Sequence, residues 1–151
     1  MATEMKIALV MTPWLGGIFS AVAFRGESRE WYDRLLKAPW NPPSWVFGPA
    51  WTFMYLLIGW SSLEFFNAGG SRIGWIIYFF QLFLNWLWSP LFFGFQKIAL
   101  ATLDICLLVI AIIFNMVLFA QVSTTACVLL APYVLWVTYA ASLSAFICLN
   151  N

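Results

Sequence analysis

Residues 98 to 120 read "IALATLDICLLVIAIIFNMVLFA", an apolar run whose single charged side chain is Asp104. A helix that crosses the hydrocarbon core of a bilayer needs about 20 such residues. Only a helix or a closed barrel can satisfy its own backbone hydrogen bonds in lipid. Because the run is continuous and does not alternate with polar residues, it predicts a membrane-spanning helix and not a strand.

The rest of the chain has the same character, with 64% hydrophobic and only 9% charged residues, against roughly 25% charged in soluble domains. Four further apolar runs predict helices at about residues 5–24, 46–66, 73–94 and 125–149. The last three connections are short, so consecutive helices are expected to be antiparallel neighbours. We therefore predict an all-α integral membrane protein, in which five transmembrane helices form one compact bundle. Residues 1–151 form a single domain.

Several kinds of chemistry are excluded by composition. The formal net charge is +1 and basic residues are concentrated only in residues 25–37, so no nucleic-acid surface is indicated. The chain has no histidine and no paired carboxylates or Gly-rich phosphate loop, so a conventional hydrolase or transferase is not expected. The three cysteines lack metal-ligand spacing and are predicted to be small buried hydrophobic residues. No metal and no required cofactor are predicted.

The first loop, about residues 25–45, carries seven of the charged side chains. Acid-first pairs such as Asp33 with Lys37 predict a short amphipathic helix over the bundle. Pro39 is expected to end that helix at Ala38, and the prolines that follow stiffen the chain. Such a loop suits a lid, although a solvated connector, with its tryptophans at the membrane interface, remains an alternative.

The distribution of Lys and Arg predicts the orientation. Most of the basic residues between the spans lie on the side of the first loop and of the connection that holds Lys97, whereas the opposite side has only Lys6 and Arg72. By the positive-inside rule, the first loop and the C-terminus are expected to be cytoplasmic.

Polar side chains inside the predicted spans form two groups. Helical spacing places Tyr78, Gln81, Asn85 and Trp88 on one face of the third span. These amides either hold helices together or line a cavity. Asp104 in the fourth span marks a functional or a paired structural site, since a carboxylate in hydrocarbon is costly.

Two tryptophans are predicted to share one slot under the first loop. Trp51 lies near the loop end of the second span, and Trp136 lies deeper, in the fifth. A flat aromatic macrocycle between them would gain apolar burial and ring stacking.

Four segments carry a family resemblance: "WYDRLLKAPWNPPSWVFGPAW" (31–51), "QLFLNWLWSPLFFG" (81–94), "ALATLDICLLV" (99–109) and "APYVLWVTYAASL" (131–143). Together they resemble the TspO/MBR family of tryptophan-rich sensory and translocator proteins, which includes the peripheral-type benzodiazepine receptor. The resemblance implies a five-helix bundle, commonly a homodimer, that binds porphyrins such as protoporphyrin IX and drug-like aromatic ligands under the first loop. The matching pocket positions are Tyr32, Trp51, Asn85, Trp136 and Ala140.

Three functions follow as hypotheses. The first is a membrane protein that binds porphyrins as a sensor, shuttle or translocator, with Arg29, Arg34 or Lys37 meeting a propionate at the mouth. The second, implied by bacterial relatives, is light- and oxygen-dependent porphyrin degradation with Trp51 and Trp136 as the reactive residues. The third is a structural or partner-recruiting membrane subunit.

Two departures limit what the resemblance implies. Lys37 is separated from Pro39 by Ala38, whereas the family usually has Lys-Pro, so the turn of the lid is expected to differ. "SLSAFICLNN" (142–151) lacks the Tyr and Arg of the cholesterol motif of mitochondrial members, so specific cholesterol binding is not expected. The host membrane, bacterial or mitochondrial outer, is left open.

Overall fold

The computed structural model describes residues 2–151, and within them it contains helices and no strand. The α-helices are α1 (Ala2–Met11), α2 (Leu15–Ala23), α3 (Glu27–Arg34), α4 (Phe47–Asn67), α5 (Arg72–Ser89), α6 (Ile98–Ala120), α7 (Thr124–Leu129) and α8 (Ala131–Asn150). Short 3-10 helices cover Thr12–Trp14 and Ser44–Val46, and a π-helix covers Pro90–Gly94.

Five helical stretches are long and apolar enough to cross a membrane, as predicted. We refer to them as spans one to five: Thr3–Ala23, Ser44–Asn67, Arg72–Gly94, Ile98–Ala120 and Thr124–Asn150. They pack into one bundle with the first loop at one end. The predicted all-α membrane fold is therefore confirmed.

Prolines interrupt three of the spans. Pro13 opens the 3-10 turn in span one, Pro90 begins the π-helix that ends span three, and Pro132 follows the break between α7 and α8. Proline has no backbone N–H and clashes with the preceding turn, so the regular hydrogen bonding must change there. None of these interruptions was predicted from the apolar pattern, whereas α6 has the predicted bounds.

The helix of the first loop is shorter than predicted. α3 ends at Arg34 and Leu35 is already extended, at φ −70° and ψ 145°, so the predicted end at Ala38 is wrong. The Asn151 side chain takes over the backbone bonding: its Oδ1 accepts from Leu36 N at 2.9 Å and its Nδ2 donates to Leu36 O at 3.1 Å. A tertiary contact from the end of span five thus replaces one turn of helix.

Lys37 contacts both the backbone of the first loop and the ring of Tyr32. Its Nζ donates to the carbonyl oxygens of Asp33 and Leu35, at 3.2 Å in both cases. The same ammonium lies 4.6 Å from the centre of the Tyr32 ring. Lys37 therefore stabilises the turn after α3 through main-chain oxygens and a cation–π contact.

Trp40 fixes the loop to the outer surface of span five. The Tyr139 hydroxyl donates to Trp40 O at 2.7 Å, and Trp40 Nε1 donates to Ser142 Oγ at 3.3 Å. The Trp40 ring also meets Phe146 edge-on, with centroids 5.6 Å apart. Together with the Asn151 contact, these bonds hold residues 36–40 in place.

The end of the bundle opposite the first loop is tightly packed. Phe65 of span two stacks on Phe119 of span four, with ring centroids 3.8 Å apart and planes 10° from parallel. A Cβ atom on Gly74 would collide with the Phe65 ring, so glycine is needed for this approach. Asn115 Nδ2 donates to Gly74 O at 3.3 Å. We call this region, defined by Phe65, Gly74, Asn115 and Phe119, the closed half.

Span one divides its contacts between two neighbours. Its first half, α1 and the turn Thr12–Trp14, packs against α4 of span two. Its second half, α2, packs mainly against α5 and the π-helix of span three. The change occurs at Gly16, where an added Cβ would lie 2.7 Å from the Tyr55 hydroxyl oxygen and 3.0 Å from Asn85 Oδ1.

Candidate ligand-binding site

A cavity of about 440 Å³ lies beneath the first loop, on the side of the bundle opposite the closed half. All five spans contribute to its wall, for example through Trp14, Trp51, Trp88, Ile105 and Ala140. Most of the lining is aromatic or aliphatic. The bundle is therefore hollow where the loop covers it.

Tyr32 forms part of the roof. It lies on the inner face of α3 and is buried, with its ring edge-on to Phe24, Phe92 and Phe93 at centroid distances of 5.6–6.1 Å. Burial raises the pKa of the Tyr32 hydroxyl above its usual value, although the neighbouring Asn41 side chain partly lowers it. The hydroxyl is therefore protonated at neutral pH, and it is available as a donor to a ligand carboxylate.

The π-helix supplies aromatic lining that the sequence pattern did not predict. Phe95 N donates to Pro90 O at 2.8 Å, which is the wider turn of a π-helix. The turn buries Phe92 and stacks it on Trp88, with centroids 5.0 Å apart and planes 17° from parallel. Pro90 near the end of an apolar run was the available signal, because π-turns often form beside prolines and at functional sites.

Trp51 and Trp136 contact one another but take different positions. Their rings are nearly perpendicular, at 85°, with centroids 6.5 Å apart. Trp51 lines the cavity, whereas Trp136 lies behind it, between Phe47 and Tyr139, and is not part of the lining. The two rings were predicted to form the wall and the floor of one slot, whereas in the structure only Trp51 lines the cavity and Trp136 contacts the Trp51 ring.

The polar face predicted for span three is present, and its amides bond to span five. Asn85 Nδ2 donates to the Tyr133 hydroxyl at 2.9 Å, and that hydroxyl donates to Gln81 Oε1, also at 2.9 Å. Gln81 thus holds helices together. Asn85 does the same, but its Oδ1 has no partner among residues 2–151 and it borders a small separate pocket beside Trp88.

A few polar atoms face or adjoin the cavity without a full set of protein partners. Ser20 Oγ and Ser89 Oγ are 2.6 Å apart and join span one to span three in the wall. Trp88 Nε1 and Asn41 Oδ1 are buried without a hydrogen-bond partner in the described part of the chain. Apolar walls with a small number of such groups are typical of small-molecule sites.

The basic residues of α3 and of the turn after it lie outside the cavity. Arg29 and Arg34 are exposed on the outer face of α3, and Lys37 is half-buried beside Tyr32. None of the three belongs to the lining. Any contact they make with a ligand is therefore confined to groups that project beyond the roof.

A family comparison agrees with this architecture. The family model described as TspO/MBR family matches residues 8–149.

The chain belongs to the TspO/MBR family.

Its relatives in this family come from distant organisms. The chain is 35% identical over 145 residues to tryptophan-rich protein TspO of Chlorobaculum tepidum, covering 93% of this chain and 92% of the relative. It is 39% identical over 115 residues to the tryptophan-rich sensory protein of Cereibacter sphaeroides, covering 76% and 73%. It is 35% identical over 143 residues to the translocator protein of Bos taurus, covering 91% and 85%. The resemblance drawn from the sequence motifs is thus confirmed over nearly the whole chain.

Two other groups in this TspO/MBR protein lie outside the cavity. Asp104 is buried in span four with no partner for its Oδ2 in the described residues, and it is not part of the lining.

Cys106 is exposed on the outer face of span four, contrary to the prediction that the cysteines are buried. In a membrane bundle the surroundings are apolar, so a small apolar side chain gains little by turning inward. Among residues 2–151, no three His, Cys, Asp or Glu side chains are grouped as a metal site.

Proposed function

We propose that this membrane protein binds porphyrins, and other flat aromatic molecules, in the cavity beneath the first loop. One observation carries the proposal: a cavity of about 440 Å³ that is walled by aromatic rings and covered by Tyr32. Sites for small ligands typically measure about 300–1,000 Å³.

Stacking is expected to supply most of the binding free energy. Trp51 and Trp88 line the cavity, and burying their exposed ring area against a ligand gains about 25 cal/mol per Å². Ring stacking adds about 0.5–1.5 kcal/mol per pair. Contacts of a propionate with exposed Arg29 or Arg34 are worth less than about 1 kcal/mol each, because water screens them.

Polar groups then set the orientation of the ligand. The protonated Tyr32 hydroxyl can donate to a carboxylate at the roof. The hydroxyls of Ser20 and Ser89 lie in the wall of the cavity and are further polar groups that a ligand can meet. A porphyrin carries its carboxylates at one edge, so that edge is expected to lie towards Tyr32.

A fluorescence titration tests the proposal. Protoporphyrin IX added to the purified protein in nanodiscs is expected to quench tryptophan emission saturably, at one molecule per chain. Trp51→Ala should weaken binding strongly, whereas Trp45→Ala should not, since Trp45 is 74% exposed and is not in the lining. Linear, non-saturating quenching with both variants equal to the parent would reject the site and favour the structural or partner-recruiting hypothesis.

A second function, photo-oxidative porphyrin breakdown, is supported by the contact between Trp51 and Trp136. In this scheme the excited porphyrin takes one electron from Trp51 and passes it to molecular oxygen, which becomes superoxide. The Trp51 radical, which Trp136 is close enough to share, then takes an electron back from the porphyrin ring, so the tryptophan is restored and the oxidised ring combines with the superoxide. Illumination of the bound complex in air, against an argon control, is expected to bleach the porphyrin and yield a defined product. An unchanged absorption spectrum in air would reject porphyrin breakdown, and binding would then be the only function supported.

The proposed function in the cell rests on the same site. We propose that the protein acts as a porphyrin sensor, shuttle or translocator, as a homodimer with its first loop and C-terminus on the cytoplasmic face. A detergent-corrected mass measurement checks the dimer. Labelling single cysteines placed at Ser28 and Ser71 from either side of sealed vesicles checks the orientation, because these residues lie at opposite ends of the bundle.

A further inference from the structure

We propose that the cavity takes up its ligand sideways from the membrane, through a portal between α2 of span one and the first turns of α4 in span two. This inference rests on the proposed function, since it concerns the route to the same cavity. The portal is defined by Gly17 and Ala21 on one side and by Gly48 and Thr52 on the other.

The portal residues both line the cavity and reach the outer surface. Gly17, Ala21, Gly48 and Thr52 all belong to the lining. Ala21, Gly48 and Thr52 are at the same time exposed, and Gly17 is half-exposed. A residue with both properties lies at an opening. The side chains there are small, so the gap is not filled.

The division of span one explains why this opening exists. The first half of span one packs on span two as far as Trp14, Gly17 still lies against the Tyr55 ring, and beyond Gly17 the helix packs mainly on span three. Ser20 bonds to Ser89, and Phe19 and Phe24 meet Trp86 and Phe93, all on the span-three side. Spans one and two therefore diverge towards the first loop.

The first loop, in contrast, is fastened on the other sides of the cavity. Leu36 is bonded to Asn151, and Trp40 is bonded to Tyr139 and Ser142 on span five. Tyr32 and Trp31 pack on Phe92 at the end of span three. Uptake through the loop would require several of these bonds to break, whereas the lateral gap needs little rearrangement.

The depth of the portal fits a ligand dissolved in the bilayer. At 1.5 Å per residue, Gly17 and Thr52 lie within about 10 Å of the ends of their helices. This depth corresponds to the boundary between headgroups and acyl chains, where flat amphipathic molecules partition. A porphyrin at that level has its ring in the hydrocarbon and its carboxylates among the headgroups.

Gly48 gives the sharpest test. A Cβ atom at Gly48 meets no atom within 4 Å, so a large side chain can stand in the portal without disturbing the helix. Gly94 has the same free space but lies at the end of the π-helix, outside the cavity lining, so Gly94→Trp is the matched control. Ala21→Trp narrows the portal from the opposite side.

The measurement is stopped-flow quenching in nanodiscs with protoporphyrin IX as the probe. Gly48→Trp and Ala21→Trp are expected to slow both association and dissociation by about tenfold or more, with a much smaller change in their ratio. Gly94→Trp should keep the parent rates. Asn151→Ala, which removes the bonds between Asn151 and Leu36 and so loosens the loop, should also leave association unchanged. Parent rates in both portal variants, or faster association in Asn151→Ala, would overturn the lateral route.

A second probe separates this inference from the proposed function. Pyrene is flat, aromatic and uncharged, and it dissolves in lipid. If the parent takes up pyrene but no protoporphyrin, porphyrin binding is rejected and the portal is tested by the pyrene rates in the same variants. If neither probe binds, both proposals fail.

Discussion

The two ends of the bundle use the same kind of residue to opposite effect. In the closed half, Phe65 and Phe119 stack at 3.8 Å because Gly74 has no side chain to hold the helices apart. Under the first loop, Trp51, Trp88 and Phe92 are equally large, but they surround a cavity of about 440 Å³. Aromatic content therefore does not distinguish a core from a binding site. The difference is whether the rings stack on one another, as Phe65 and Phe119 do, or surround an open space.

The hollow end is kept open by features that the closed half lacks. The π-helix displaces the end of span three, α2 leaves span two after Gly17, and the first loop is tied to span five. Each feature holds one wall in place without filling the centre. A cavity of this size is tolerated because the closed half supplies much of the packing.

The largest effect on stability is expected from removing a large side chain from the closed half. Phe119 is fully buried, and Phe119→Ala should lower the free energy of unfolding by about 3–5 kcal/mol, as for large-to-small core changes. Thermal unfolding in detergent measures the loss. Phe119→Leu, which keeps most of the volume, should lose clearly less. Equal stability of the Ala variant and the parent would contradict the division of the bundle into two halves.

The next effect concerns ligand affinity and distinguishes the two tryptophans. Trp51→Ala should weaken protoporphyrin binding by about 2 kcal/mol, roughly thirtyfold, since Trp51 is a buried aromatic contact. Trp136→Ala should cost only about threefold, because Trp136 acts through its contact with the Trp51 ring and does not line the cavity. Equilibrium titration of both variants in the same nanodiscs checks the order. A larger loss from Trp136→Ala would restore the slot predicted from the sequence.

A smaller effect is expected at the boundary between the halves. Tyr133→Phe removes the hydroxyl that joins Asn85 to Gln81, and it should cost about 1 kcal/mol of stability, within the range for hydrogen bonds between membrane helices. The affinity for protoporphyrin should stay within about twofold if this network only holds helices together. A large loss of affinity at unchanged stability would instead indicate that Asn85 contacts the ligand and that Tyr133 holds it in position.

The smallest effect is expected where the loop meets span five. Asn151→Ala should lower stability by less than about 1 kcal/mol, because its bonds to Leu36 are exposed to water. Hydrogen exchange of the amides of residues 35–41 should nevertheless become faster, since these bonds order the segment. Asn150→Ala is the matched control, as Asn150 bonds only within its own helix, to Phe146 O. Identical exchange in both variants would show that Trp40 alone fixes the loop.

Long apolar runs made the spans predictable. Ile98–Ala120 has the predicted bounds because nothing in that run competes with helix formation in lipid. Ser123 caps α7 by accepting from Ala126 N, which is a common role of Ser at the start of a helix. Tyr32, Trp51, Trp88 and Ala140 were also singled out before the structure, and all four line the cavity. Whether they bind a ligand stays a prediction.

The features that were not predicted share one cause, which is contact between residues that are far apart in the chain. The end of α3 at Arg34 depends on Asn151, which is 115 residues away from Leu36. Phe92 enters the lining only through the π-turn, and Trp136 is excluded from it by the ring of Trp51. Local patterns give the face of a helix, but the neighbour that this face meets depends on how the helices pack.

The amino-acid sequence by itself determined the membrane location, the five helices and the family, because hydrocarbon permits few structures and the tryptophan and proline pattern is specific. Only the tertiary structure decided that one end is packed and the other hollow. That difference arises from the positions of Gly16 and Gly74, which leave room for side chains of the neighbouring helices, and from the loop contacts with span five. Such contacts are properties of pairs of helices, and no single stretch of sequence contains them.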